Sequence, residues 1–198
     1  DYSFHLGHSF TDNFLMNDNA GRVLFTARSG NCGVGTGNPL SSFEIQDGLT
    51  TTGAVLTLST AETTVVANDV LGKINFVAHL EASGTDAILP GASIHALATD
   101  TFAADNNATD LIFSTGASET ATERMRISSA GNVGIGSDAT TPLAKLHVAS
   151  ADSGSAAHAD ADELVVEGST AAGISIISDH DATAKIIFGC SEDTQAAR

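Results

Sequence analysis

One stretch of this chain occurs twice. Arg22-Val23-Leu24-Phe25-Thr26-Ala27-Arg28-Ser29-Gly30-Asn31-Cys32-Gly33-Val34-Gly35 returns as Arg124-Met125-Arg126-Ile127-Ser128-Ser129-Ala130-Gly131-Asn132-Val133-Gly134-Ile135-Gly136, with a one-residue slip between the strand-like part and the glycine turn. Internal repetition marks an array of small supersecondary units rather than one pocket-bearing globule. The echo runs on: Pro39-Leu40 matches Pro142-Leu143, Phe43-Glu44-Ile45 matches Leu146-His147-Val148, and Lys73-Ile74-Asn75-Phe76 matches Lys185-Ile186-Ile187-Phe188. The offset grows along the chain, which puts insertions into exposed turns of the second copy. The repeat divides the chain into a segment 1–20 that ends a preceding module, a first β unit over 21–123 and a second over 124–198 that stops at Arg198 inside the unit. The polypeptide is therefore expected to continue beyond both ends.

Strand signals dominate both copies. Val23-Leu24-Phe25, Val55-Leu56-Thr57-Leu58, 73–78, 93–98, 110–114, 124–127, 145–148, 163–166, 173–177 and 185–188 are short, rich in Ile, Val, Leu and Phe, and bounded by Gly, Asn, Asp or Ser. In Arg124-Met125-Arg126-Ile127 charged and apolar residues alternate, so the charges share one face and the apolar side chains the other. No window carries a helical stripe; residues 61–71 come closest, but Thr63-Thr64-Val65-Val66 is β-branched. The expected class is all-β, an elongated series of short-strand units.

The turns are equally legible. Ser29-Gly30-Asn31 and Ala130-Gly131-Asn132 put a glycine where a tight reversal needs positive φ. Gly33 and Gly35, like Gly134 and Gly136, leave one apolar side chain between two bare backbone positions, so neighbouring strands can approach closely. Gly30, Asn31, Gly33, Gly35, Gly131, Asn132, Gly134 and Gly136 are the residues expected to define the repeat.

The net charge of −16 argues against a nucleic-acid partner and an anionic membrane surface, both of which select basic surfaces. No stretch reaches the roughly 18 apolar residues of a membrane span. Aromatic residues are only 5% of the chain, so small residues fill places where a globule carries bulky core groups. At about 25 cal/mol per Å² a lone chain of this kind struggles to offset backbone ordering. Identical chains sharing one core resolve the shortfall, and an isolated monomer is not expected to fold stably.

Glu123 to Gly136, followed by Pro142 and Lys145-Leu146-His147-Val148, closely resembles a repeat of bacteriophage tail-fibre proteins, of the type abundant in marine phages. Gly72-Lys73-Ile74-Asn75-Phe76 and Leu111-Ile112-Phe113-Ser114-Thr115 fit the same pattern, and the match covers most of residues 21–198. The resemblance implies a homotrimeric, intertwined fibre shaft on the virion surface. Its partners would be two further copies of itself, other tail proteins and a host-surface receptor, with a glycan the expected class. Such fibres often end in a self-cleaving chaperone domain, which these residues do not contain. The alternatives are a polysaccharide-depolymerising tailspike enzyme and a non-viral surface filament or layer protein using the same repeat.

Other chemistry finds little footing in the sequence. The glycine runs lead into turns and strands rather than a helix, so they do not form a phosphate-binding loop. Cys32 stands where the other copy has Val133 and reads as a small hydrophobe, and Cys190 has no partner at metal-ligand spacing. His5 and His8 are the better of seven histidines for a metal site on a three-fold axis; His79, His95, His147, His158 and His180 complete the set. His147 aligns with Glu44 between apolar neighbours and is expected to face solvent. The acidic clusters Asp160-x-Asp162-Glu163 and Asp179-His180-Asp181 lack calcium-loop spacing and read as solvated turns. No nucleophile elbow frames a serine, and the expectation is a non-enzymatic protein without cofactor or resident metal.

Overall fold

The structure is a computed structural model that describes residues 14–18, 21–47, 51, 53–160, 163–178 and 183–186. Those residues are all-β apart from one 3-10 turn, Asp86–Ile88. The chain divides into two compact units, Asp1–Leu58 and Ser59–Arg198. The first holds β1 (Phe14–Asn17), β2 (Val23–Arg28), β3 (Asn31–Val34) and β4 (Phe43–Ile45), in the order β1-β2-β3-β4. The second holds β5 (Val70–Phe76), β6 (Ala92–Ala98), β7 (Thr109–Thr115), β8 (Thr122–Ile127), β9 (Val133–Ile135), β10 (Leu146–Ala149) and β11 (Leu164–Glu167), again in sequence order across one sheet. These units are not the repeat units. The junction between copies at 123/124 falls inside β8, in the middle of the seven-stranded sheet.

The repeat nevertheless folds twice into the same module. β2 pairs antiparallel with β3 and β3 pairs parallel with β4; β8, β9 and β10 do the same. Thr26, Gly33 and Glu44 stand in register, as do Arg126, Gly134 and His147. Hydrogen bonds outside the ladders repeat as well. Cys32 N–H donates to Ser42 O at 2.9 Å, and Val133 N–H to Lys145 O at 2.8 Å. Gly35 N–H donates to Leu24 O at 3.2 Å, and Gly136 N–H to Arg124 O at 2.9 Å.

The slip of one residue has a turn-chemistry cause. In the first copy Ser29 and Gly30 both have positive φ, 52° and 84°, which is the two-residue primed turn that suits the twist of a hairpin. In the second copy only Gly131 is left-handed, φ 79°, and Ser128 and Asn132 close a loop one residue longer. The extra residue brings the strands back to the same register.

Three sequence expectations fail here. Residues 55–58 and 173–177 carry strand-like patterns but lie outside any strand. Lys185-Ile186, matched to β5 residues Lys73-Ile74, is also outside any strand, and Ile187-Phe188 lie outside the described residues. The strands β1, β3, β4 and β9 are only three or four residues long, and a glycine interrupts β3 and β9, so none of them stands out as a strand in the sequence.

Candidate functional site: an uncovered apolar sheet face

The register of the seven-stranded sheet lines up apolar side chains from edge to edge. Ile74, Ile94, Phe113, Met125, Ile135, Val148 and Val166 form one cross-strand row. Beside it Ala96, Leu111, Ile127, Val133, Leu146 and Leu164 form a second. None of these side chains is buried. Ile74 is 43% exposed, Ile135 39% and Leu164 49%. Within the unit each strand contacts only its hydrogen-bonded neighbours, so no described strand is stacked on this face. The same parity in the first unit aligns Met16, Phe25, Val34 and Ile45, none of them buried.

Burial concentrates on the opposite, more polar face. Ser93, Asp110, Ile112, Ser114, His147 and Ala149 are buried there. Over β9 and β10 the parallel connection is the cause. Residues 136–145 link β9 to β10 without a helix, and Ala139 and Ala144 are buried within them. A Cβ on Gly134 would collide with the Ala139 carbonyl oxygen and come within 3.1 Å of Pro142 Cγ. In the first copy a Cβ on Gly33 would lie 2.9 Å from the Thr36 carbonyl oxygen and 3.4 Å from Pro39. Glycine is required at both positions because the crossover lies directly on the sheet. Gly35 and Gly136 have φ of 77° and 113°, and a Cβ on either would overlap the carbonyl oxygen of Gln46 or Ala149. Asn31 Nδ2 donates to Pro39 O at 3.1 Å, and Asn132 Oδ1 accepts from Lys145 Nζ at 3.1 Å, so each asparagine ties its turn to its crossover.

Polar side chains stitch this covered face together. Arg126 donates from Nε and Nη2 to the two oxygens of Glu123, at 2.6 and 2.7 Å, and from Nη1 to Asp110 Oδ2 at 2.6 Å. Asp110 Oδ1 also accepts the Ser129 N–H at 2.7 Å, which anchors the β8–β9 turn. The Glu123 hydrogen bonds, then the charges of Glu123 and Asp110, raise the Arg126 pKa further against the opposing effect of burial. His95 lies in register between Lys73 and Ile112, and its buried Nδ1 has no partner. Desolvation, then the Lys73 charge, lowers its pKa and favours the neutral ring.

His147 is 1% exposed, which corrects the expectation that it faces solvent. The alternation with apolar neighbours is real, but the covered face is the one His147 shares with Gly134. Its Nδ1 receives the Leu143 N–H at 3.5 Å, and its Nε2 lies 2.8 Å from Glu167 Oε2. That geometry places the ring proton on Nε2, which donates to the carboxylate. Glu44, the equivalent residue, accepts the Leu40 N–H at 2.6 Å, so the two side chains hold equivalent leucines. Glu167 Oε1 accepts both the backbone N–H of Ser153, at 2.7 Å, and its hydroxyl, at 2.5 Å. The Ser153 bonds, then His147, hold the Glu167 carboxyl below the usual glutamate range.

Serine, histidine and glutamate thus meet, but in the wrong order for nucleophilic catalysis. In a triad the histidine sits between hydroxyl and carboxylate. Here the carboxylate is in the middle and accepts from both the hydroxyl and the ring, so the histidine does not stand between serine and glutamate. The cluster fastens the β10–β11 connection to the sheet.

His5, His8, His180 and Cys190 lie outside the described residues, as do Asp162 and the cluster at 179–181. His79 and His158 are exposed, and Cys32 is a half-buried free thiol in register with Phe43. Among the described residues no group of three His, Cys, Asp or Glu could hold a metal ion, and no helix is long and apolar enough to cross a membrane.

No protein-family model matches the chain, and no curated protein matches it. Among solved structures it is similar to two of the carboxy-terminal domain of the bacteriophage T5 L-shaped tail fibre, one with its intra-molecular chaperone domain. Both are 17% identical with a TM-score of 0.45, over 77% and 76% of this chain. The chain spans 43% and 62% of the lengths of those two structures.

Proposed function

We propose that this chain is one subunit of a homotrimeric bacteriophage tail fibre, a structural and adhesive virion component. The observation that carries the reading is the apolar face of the seven-stranded sheet, aligned across every strand and covered by none of the described strands. The repeat, which resembles a tail-fibre motif, supplies the kind of assembly.

The mechanism is geometric. Crossovers cover one face of each module, bare faces of three chains meet to make the shared core, and charged turns keep the assembly soluble. Attachment to a host-surface glycan then draws on avidity, since several linked fibres strengthen weak single contacts. Gold-labelled antibodies against the chain test the assignment on intact particles of a phage carrying the gene. Labelling of tail fibres is expected; labelling confined to the head, or to cellular filaments, contradicts it. Incubation with host envelope glycan should release no oligosaccharide, and release would favour a depolymerising spike.

A further inference from the structure

Two stretches of the chain have strand chemistry and no strand. Residues 53–59, containing Val55-Leu56-Thr57-Leu58, follow β4, and residues 171–177, containing Ile174-Ser175-Ile176-Ile177, follow β11. β4 and β11 are edge strands of their sheets. In a meander the segment after an edge strand folds back and pairs with it. Here neither stretch makes a hydrogen bond among the described residues, and every residue in both is exposed. Leu56 is 60% and Ile177 86% exposed.

We infer that residues 53–59 and 171–177 are donated strands, each pairing with an edge strand of a neighbouring copy of this chain. Three observations select a second copy as the partner. Both stretches are free of charge in a chain of net charge −16, so identical chains can approach there without like-charge repulsion. Each leaves its own sheet at an edge strand, so every copy that donates a strand also offers an edge to receive one. A head-to-tail exchange of that kind closes into a ring under rotational symmetry. The two stretches also leave Leu56, Leu58, Ile174, Ile176 and Ile177 exposed, and pairing as an added strand covers backbone and apolar side chains together. The inference rests on the trimer proposed above and names the segments that would interlock it.

The test uses the assembled full chain. Hydrogen exchange read by mass spectrometry is expected to show amides in 54–59 and 172–177 exchanging at least about 100-fold slower than in an unstructured peptide, as ladder-bonded amides do. In parallel, Leu56 or Ile176 is replaced by a benzophenone-bearing amino acid and irradiated. Covalent products at twice the chain mass are expected, with crosslinks mapping to a β4 or β11 edge. An assembly of the right mass whose segments exchange freely, or crosslink only within their own chain, overturns the strand donation while leaving the trimer standing. A folded monomer by sedimentation overturns both.

Discussion

The two copies of the module share one backbone and differ in what they seat on the covered face. Thr26, Gly33 and Glu44 stand across the first module; Arg126, Gly134 and His147 stand across the second. The central glycine is common to both because the crossover leaves no room for a Cβ. The flanking positions are free to vary. Thr26 is buried with its hydroxyl unpaired, whereas Arg126 is held by two carboxylates. Glu44 and His147 differ in charge yet accept the N–H of equivalent leucines. The fold therefore depends on backbone room and a few carbonyl and amide contacts, and tolerates unrelated chemistry where a side chain only has to fill a row.

The sharpest way to break this comparison is at the glycines that it treats as equivalent. Gly136→Ala and Gly35→Ala both force a Cβ onto a carbonyl oxygen at positive φ, and each is expected to cost about 3 kcal/mol or more. Gly131→Ala meets nothing within 4 Å, so only its backbone strain counts, about 1 kcal/mol. Chemical denaturation of the three variants checks the order. Equal losses at Gly136 and Gly131 would show that crowding by the crossover is not the constraint.

Arg126 and Thr26 should then move in opposite directions. Arg126→Met leaves Asp110 and Glu123 facing each other on the covered face, and is expected to lose about 2–4 kcal/mol. Thr26→Val removes a buried hydroxyl that has no partner, and is expected to gain about 1 kcal/mol. Denaturant midpoints of the two variants decide it. A gain from Arg126→Met would mean that the ion pairs do not hold the β7–β8 pairing.

The smallest effect separates the two units by acid. His95 and Glu167, both with lowered pKa values, belong only to the second unit. The unfolded chain binds more protons at each, so stability falls as pH falls. The His95 part is present above its unfolded value of about 6.5 and fades below it, and the Glu167 part fades from about 4.3 downward. Melting curves against pH should show both steps. His95→Gln should remove the first, and Glu167→Gln the second. A first step that survives His95→Gln assigns it elsewhere.

Much of this architecture was legible in the residues. The turns at Gly30 and Gly131, the alternation in 124–127 and the all-β class follow from local chemistry. Alternation, however, says which side chains share a face and not which face is covered. Coverage is decided by residues 35–42 and 136–145, whose path over the sheet is set by non-local packing. For that reason His147 reads as solvent-facing in the sequence and is buried in the fold. The strands at Gly33 and Gly134 give no strand signal for a related cause, since glycine weakens that signal where the crossover demands it. The strand expected at 55–58 is not formed among the described residues, because an apolar run with β-branched residues supplies strand chemistry but not a neighbouring strand to pair with.

The bare apolar face is either the meeting surface of identical chains or an exposed liability, and molar mass in solution separates the two most directly. Sedimentation equilibrium on the purified chain is expected to give a trimer of the 20.1 kDa subunit that survives dilution, with unfolding accompanying any dissociation. A monodisperse, cooperatively folded monomer at 20.1 kDa would contradict it.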